Sequence, residues 1–185
     1  MIRCCVGEDN RLKISVFSKK NQIVMLRYIN TDIVFQEFPD EVTLAINISG
    51  CPCRCPGCHS QFLWANRGDE LTAEALSALI HGAKDTITCV GFMGGDGDPA
   101  AVDLLAKYVQ ERHHGLKVGW YTGRTAISPL IDQQYFDYIK VGPYLRHLGG
   151  LDSPRTNQRM YRRCTDGSFE DITSRFWKHQ SEGSL

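Results

Sequence analysis

The chain has 185 residues, 42% of them hydrophobic and 23% charged, enough for one globular domain with an ordinary core and too few for two full ones. Its 21 basic and 21 acidic side chains cancel, which argues against a cationic surface for nucleic acid or anionic lipid beyond a local patch. No run approaches the roughly 18 apolar residues of a membrane span, and Met1 to Asp9 lacks the apolar stretch of a secretory signal, so the expected location is the cytoplasm.

Residues 1–24 are polar and aperiodic and read as an N-terminal extension, disordered or a misplaced start, with Met25 as an alternative beginning. The domain is expected over 25–178, with a polar tail at 179–185. Met25–Ile29 and Ile33–Phe38 flank the turn-like Asn30-Thr31-Asp32 and predict a short hairpin. Val42–Ile48 is apolar and β-branched, a buried strand that feeds a loop running to about Glu70. Connections of that length in compact domains are functional or disordered.

A helix follows, with Thr72 as N-cap, Leu71 and Leu76 as a hydrophobic staple, and Leu76, Leu79, Ile80 and Ala83 at helical spacing. Ile87–Phe92 predicts a second buried strand ending at Gly94-Gly95-Asp96-Gly97. Asp98 and Pro99 then supply an N-cap and an N1 proline for a helix carrying Val102, Leu105, Ala106 and Val109, to about His113. A third strand, Leu116–Tyr121, stops at Thr122-Gly123; a weaker helix over about Ala126–Gln133 leads to a fourth, Tyr138–Pro143. Strands alternating with helices predict βαβ units, hence an α/β fold with a mostly parallel sheet and right-handed crossovers. The unusual residues all fall at strand carboxyl ends, where such folds place their sites. After Pro143 the chain reads as irregular, with a short apolar piece near Ile172–Trp177.

Eight cysteines invite a disulfide reading, but four of them, Cys51, Cys53, Cys55 and Cys58, lie within one short loop. Crowded thiols in a reducing compartment suit a metal or a cluster better than cross-links. The prolines and glycine of Cys51-Pro52-Cys53-Arg54-Cys55-Pro56-Gly57-Cys58-His59 hold the backbone extended or turned, so that thiolates converge on one centre. Zinc fits Cys and His ligands, yet structural zinc usually draws two separated ligand pairs, and no second pair follows downstream. The alternative uses Cys51, Cys55 and Cys58, a C-x3-C-x2-C spacing that would bind three irons of a [4Fe–4S] cluster and leave the fourth open. Spacing favours the cluster and leaves zinc as the rival.

A C-x3-C-x2-C loop after a first strand resembles that of the radical S-adenosylmethionine (SAM) enzymes. Gly50-Cys51, Cys55-Pro56-Gly57-Cys58-His59, Gly94-Gly95-Asp96, Trp120-Tyr121-Thr122-Gly123 and Thr156-Asn157-Gln158 resemble one subgroup, the activating proteins of anaerobic ribonucleoside-triphosphate reductase. The resemblance spans about Met25 to Arg163 and implies a partial (β/α) barrel of the radical SAM type. It further implies a [4Fe–4S] cluster on Cys51, Cys55 and Cys58, whose open iron binds SAM and whose electron cleaves it to methionine and a 5′-deoxyadenosyl radical.

On the same resemblance, Gly94, Gly95 and Asp96 match a Gly-Gly-Glu-like turn at the SAM amino group, with Asp shorter than Glu. Tyr121 and Thr122, with Gly123, would meet the ribose or methionine end of SAM, whereas Trp120 reads as core. Lys140 would reach the SAM carboxylate, or else snorkel from a sheet edge. Cys53 adds a fourth thiol, a bystander or a competing ligand, and His59 reads as a loop hydrogen-bonder. Asn157 and Gln158 mark a docking or SAM-edge element, or a solvated loop. The implied partners are a reductase that receives a glycyl radical and an electron donor such as flavodoxin. The rivals are activation of another glycyl-radical enzyme and a non-catalytic zinc-binding interaction module.

Overall fold

The computed structural model describes residues 26–177. The expected extension at 1–24, the start at Met25 and the tail at 179–185 lie outside the described residues. Among the described residues eight strands form one sheet: β1 (Arg27–Val34), β2 (Thr43–Ile48), β3 (Asp69–Glu70), β4 (Cys89–Met93), β5 (Lys117–Tyr121), β6 (Tyr138–Val141), β7 (Arg159–Arg163) and β8 (Phe169–Asp171). The helices α1 (Ala73–Ala83) and α2 (Pro99–Arg112) connect β3 to β4 and β4 to β5. The strand order is β3-β1-β2-β4-β5-β6-β7-β8.

The sheet is mixed, which corrects the expected mostly parallel one. Only β2, β4, β5 and β6 run parallel; β1 and β3 on one flank and β7 and β8 on the other are antiparallel. The predicted first hairpin is absent, because Asn30-Thr31-Asp32 lies inside β1, paired with Ile46, Ala45 and their neighbours in β2. There the Asn30 amide bonds the Asp32 carboxylate at 2.9 Å, and Asn30 accepts from Asn47 at 3.3 Å, so the turn-forming side chains satisfy each other on the strand face. The helix expected over 126–133 is also missing. Pro129 within it lacks a donor and restricts Ser128, so the chain takes turns and a short 3-10 segment at Gln133–Tyr135.

Both helices begin as their sequences require. The Thr72 hydroxyl accepts from Ala75 N at 3.1 Å, and the Asp98 carboxylate accepts from Ala101 N at 3.1 Å ahead of Pro99. Their apolar faces (Leu76 and Ile80; Val102, Leu105 and Val109) cover the outer face of the sheet. Strand alternation supplies the other half of that core: Leu44, Ile46 and Ile48, then Val90 and Phe92, Val118 and Trp120, Ile139 and Val141. Trp120 is fully buried there, its Nε1 donating to Gly94 O at 2.8 Å, in line with its reading as core.

The opposite positions of the same strands stack in three layers by register. Thr43, Cys89 and Lys117 lie at the amino edge; Ala45, Gly91, Gly119 and Tyr138 in the middle; Asn47, Met93, Tyr121 and Lys140 toward the carboxyl edge. The middle layer is small because residues 35–42 fold beneath it and insert Phe38, which is wholly buried. A Cβ at Gly119 would lie 2.2 Å from the Phe38 ring, and one at Gly91 would lie 2.9 Å from it. Glycine in a strand interior here marks close approach of another chain segment. Phe38 also packs on Tyr121 and Tyr138, with ring centroids 5.4 and 5.3 Å apart.

Candidate functional site

Above that plug the inner face opens into a cavity of about 1080 Å³ at the carboxyl edge of the parallel strands. All four loop cysteines line it, together with Gly94, Asp96, Tyr121, Thr122 and Lys140. The structure therefore brings the sequence-predicted site residues around one space: Cys51, Cys55, Cys58, Gly94, Asp96, Tyr121, Thr122 and Lys140 are on its wall, and Gly95, which follows Gly94 in the turn, is not. Gly95 has φ 92°, and a Cβ on it would sit 2.4 Å from Val102, so glycine is required where the turn meets α2.

The cysteine loop is pinned at its neck. Ser49 Oγ donates to Arg67 O at 2.6 Å, and Cys51 N donates to Leu63 O at 3.0 Å. Between these points Gly50, Arg54 and Gly57 have positive φ of 74°, 43° and 77°, so the chain reverses repeatedly instead of running straight. Cys58 N donates to Cys55 O at 3.0 Å, and Ser60 N donates to Cys58 Sγ at 3.3 Å. The four thiols are half-buried and, among the described residues, all cysteines are free. His59 packs edge-on against Tyr144, with ring centroids 5.6 Å apart.

Asp96 is the hub of the wall. It is 7% exposed; Oδ1 accepts from the Thr122 hydroxyl at 2.5 Å, and Oδ2 accepts from Gly123 N at 2.9 Å and from Cys53 Sγ at 3.6 Å. Burial, and then the Asp96 charge, push the Cys53 thiol up to about 12. Tyr121 turns its hydroxyl away from the thiols to donate to Glu37 O at 2.8 Å, and burial raises its pKa well above the ordinary value. Lys140 is 7% exposed, so the snorkelling alternative does not apply. Its Nζ donates to Gly142 O at 2.8 Å and lies 5.7 Å from the Tyr121 ring centroid. Burial lowers its pKa to about 8, against the opposing pull of Cys55, Asp96, Cys53 and Cys58.

Sequence reasoning missed part of this wall. Gln36, Glu37 and Asp40 come from the segment that folds under the sheet, Asn47 and Met93 from strand positions, and Arg175 and Trp177 from the C-terminal turn. The small inner positions of β4 and β5 were the available signal for an inserted segment. Gln158, expected in a docking or SAM-edge element or a solvated loop, is buried on the cavity wall with its amide 3.4 Å from Gly142 O. Asn157 donates to Pro143 O at 2.9 Å.

A family model described as a 4Fe-4S single cluster domain matches residues 42–141. The chain belongs to that family. The matched segment of this 4Fe-4S single cluster domain holds the four parallel strands, both helices and the whole cysteine loop, and leaves β1, β7 and β8 outside. No curated protein and no solved structure matches the chain. The donor set fits an iron–sulfur cluster: reduced thiols on a pinned loop, an N–H bond to one of them, and a half-enclosed cavity in front. Among the described residues the ligand atoms that lie within 4.8 Å of one another are those of Cys51, Cys53 and Asp96. A cubane spaces its thiolates more widely than a single ion does, so this grouping describes the tightest cluster of donors and does not by itself choose the ligands. No helix among the described residues is long and apolar enough to cross a membrane.

Proposed function

We propose that this chain is a radical SAM activase of the partial (β/α) barrel type, which cleaves SAM reductively and generates a glycyl radical on anaerobic ribonucleoside-triphosphate reductase. The observation that carries the reading is the convergence of the C-x3-C-x2-C loop, the Gly94-Gly95-Asp96 turn and the Tyr121-Thr122-Gly123 turn on one cavity of about 1080 Å³, large enough for a nucleoside cofactor beside a cluster. Cys51, Cys55 and Cys58 would hold the [4Fe–4S] cluster, which when bound supplies the electron that splits the sulfonium.

The remaining work falls to the protein. Lys140, held in the wall by the Gly142 carbonyl, offers a cation to the SAM carboxylate. Asp96 keeps acceptor capacity on Oδ1 for the SAM ammonium, while Thr122 and Gly123 fix its orientation. Tyr121 contributes its ring and not its hydroxyl, which is committed to Glu37. The Phe38 plug closes the floor and keeps water from entering through the sheet. The open side would admit the glycine-bearing segment of the reductase and place its α-hydrogen beside the radical chemistry that SAM and the cluster would supply when bound. An electron donor such as flavodoxin and a cytoplasmic, reducing location belong to the same reading.

Anaerobically purified protein, reduced and mixed with SAM and the reductase, is expected to give the EPR doublet of a glycyl radical on the reductase. A doublet only on another glycyl-radical enzyme would reassign the partner. One observation favours a second reading, a zinc-binding interaction module: the close grouping of Cys51, Cys53 and Asp96. Colourless protein with one zinc and no sulfide would establish it and overturn the activase.

A further inference from the structure

We propose that Cys53 is a positioning residue and not a cluster ligand: its thiol latches the cysteine loop onto Asp96 and so fixes the cluster against the two turns that face it. The inference rests on the activase reading above and deepens it. Three segments meet at this point, the loop after β2, the turn after β4 and the turn after β5. Cys53 Sγ lies 3.6 Å from Asp96 Oδ2, and the same oxygen accepts from Gly123 N at 2.9 Å. A carboxylate only accepts, so the thiol is the donor. Thr122 holds the other carboxylate oxygen, which leaves Asp96 no freedom to follow the loop if the loop shifts.

Two further observations point the same way. The other hydrogen bonds of residues 52–58 are local, from Cys58 N to Cys55 O and from Ser60 N to Cys58 Sγ; among the described residues, only the Cys53 thiol bonds this stretch to the sheet. The packing is also built for it. A Cβ at Gly123 would lie 2.7 Å from Cys53 Sγ and 3.1 Å from Cys53 Cβ, so the thiol fills the space a side chain at 123 would take. Gly123 is thus the socket, and Asp96 the catch.

The test uses the reconstituted holoprotein and its Cys53→Ala, Cys53→Ser and Gly123→Ala variants. Iron and sulfide per chain should equal wild type in both Cys53 variants. Iron release to excess ferrous chelator should be about fivefold faster in Cys53→Ala, and within about twofold of wild type in Cys53→Ser, which keeps a donor. Gly123→Ala should match the Cys53→Ala rate, and the double variant should be no faster than either alone. In the same samples, the SAM concentration that shifts the EPR signal of the reduced cluster should rise by a similar factor in Cys53→Ala and recover in Cys53→Ser. Lost iron or a three-iron EPR signal in Cys53→Ala would make Cys53 a ligand and overturn the proposal. An unchanged release rate in Cys53→Ala, or no rescue by serine, would overturn it as well. If SAM leaves the wild-type spectrum unchanged, the activase reading fails, while the chelator series still decides the latch.

Discussion

Glu41, at the amino edge of the parallel strands, and Asp96, at their carboxyl edge, are both buried acids that gather donors from neighbouring segments. Glu41 receives the Thr88 hydroxyl at 2.7 Å, the Tyr138 hydroxyl at 3.0 Å and the Lys117 ammonium, so β4, β5 and β6 are tied to the start of β2 by a neutralised group. Asp96 receives a hydroxyl, an amide and a thiol, with no cation bonded to it among the described residues, and it borders a cavity lined by four cysteines. The same device serves stability at one end, where it is sealed by Phe38 and charge pairing. At the other end it organises a site, because its donors belong to segments that also hold functional groups. In parallel sheets the carboxyl edge is where loops are free to vary without disturbing the crossovers.

Four experiments would break or sharpen this contrast. Cys51→Ala, Cys55→Ala or Cys58→Ala should each abolish the cluster and lower SAM cleavage by at least about a hundredfold, while the far-ultraviolet circular dichroism and the unfolding midpoint of the apoprotein stay the same. A loss of fold in these variants would mean that the carboxyl edge also carries stability. Between the two ends, Gly119→Ala forces a methyl into the Phe38 ring and should cost about 3 kcal/mol in urea unfolding. Combined with Phe38→Ala, the double variant should cost less than the sum of the two single costs.

At the amino edge, Glu41→Ala leaves the Thr88 hydroxyl without its acceptor and the Tyr138 hydroxyl with only the Pro39 carbonyl at 3.2 Å, and should cost about 2 kcal/mol, with iron content per chain unchanged. Lys117 adds little to that cost because its side chain is half exposed. A lowered iron content would show that the two edges are coupled. The smallest expected effect is a pH dependence at the same end, where α2 hands over to β5. Burial and the neighbouring His81 hold the His113 pKa below its usual 6.5, and its Nε2 has no partner among the described residues. The unfolded chain then binds the proton first, so this contribution is complete above pH 6.5 and is lost as pH falls through the folded value. The urea midpoint should fall between pH 7.5 and pH 5.5 by more than it does in His113→Gln; equal slopes would dismiss His113 as the source.

Local chemistry made much of this architecture readable from the chain. Thr72 and Asp98 announce their helices because a cap acts within three residues. The outer-face residues of β2, β4, β5 and β6 stand out because their alternation survives in short windows. The cysteine loop was legible because metal chemistry imposes its spacing on neighbouring residues. β7 was not, since in Arg159-Met160-Tyr161-Arg162-Arg163 only Met160 is buried and four exposed or half-exposed neighbours mask any period. The hairpin at Asn30 and the helix at Ala126 were misread, because the partner strand β2 in one case and Pro129 in the other outweighed local preference.

By itself the sequence determined the elements that depend on near neighbours: two capped helices, four parallel strands and a cluster-type cysteine loop. Only the tertiary structure decided what surrounds that loop. The insertion of Phe38 under two strand glycines, the meeting of Cys53 with Asp96 across 43 residues, and the antiparallel flanks join segments far apart in the chain. Such contacts are set by which surfaces fit once the sheet has formed, and no local pattern encodes that fit.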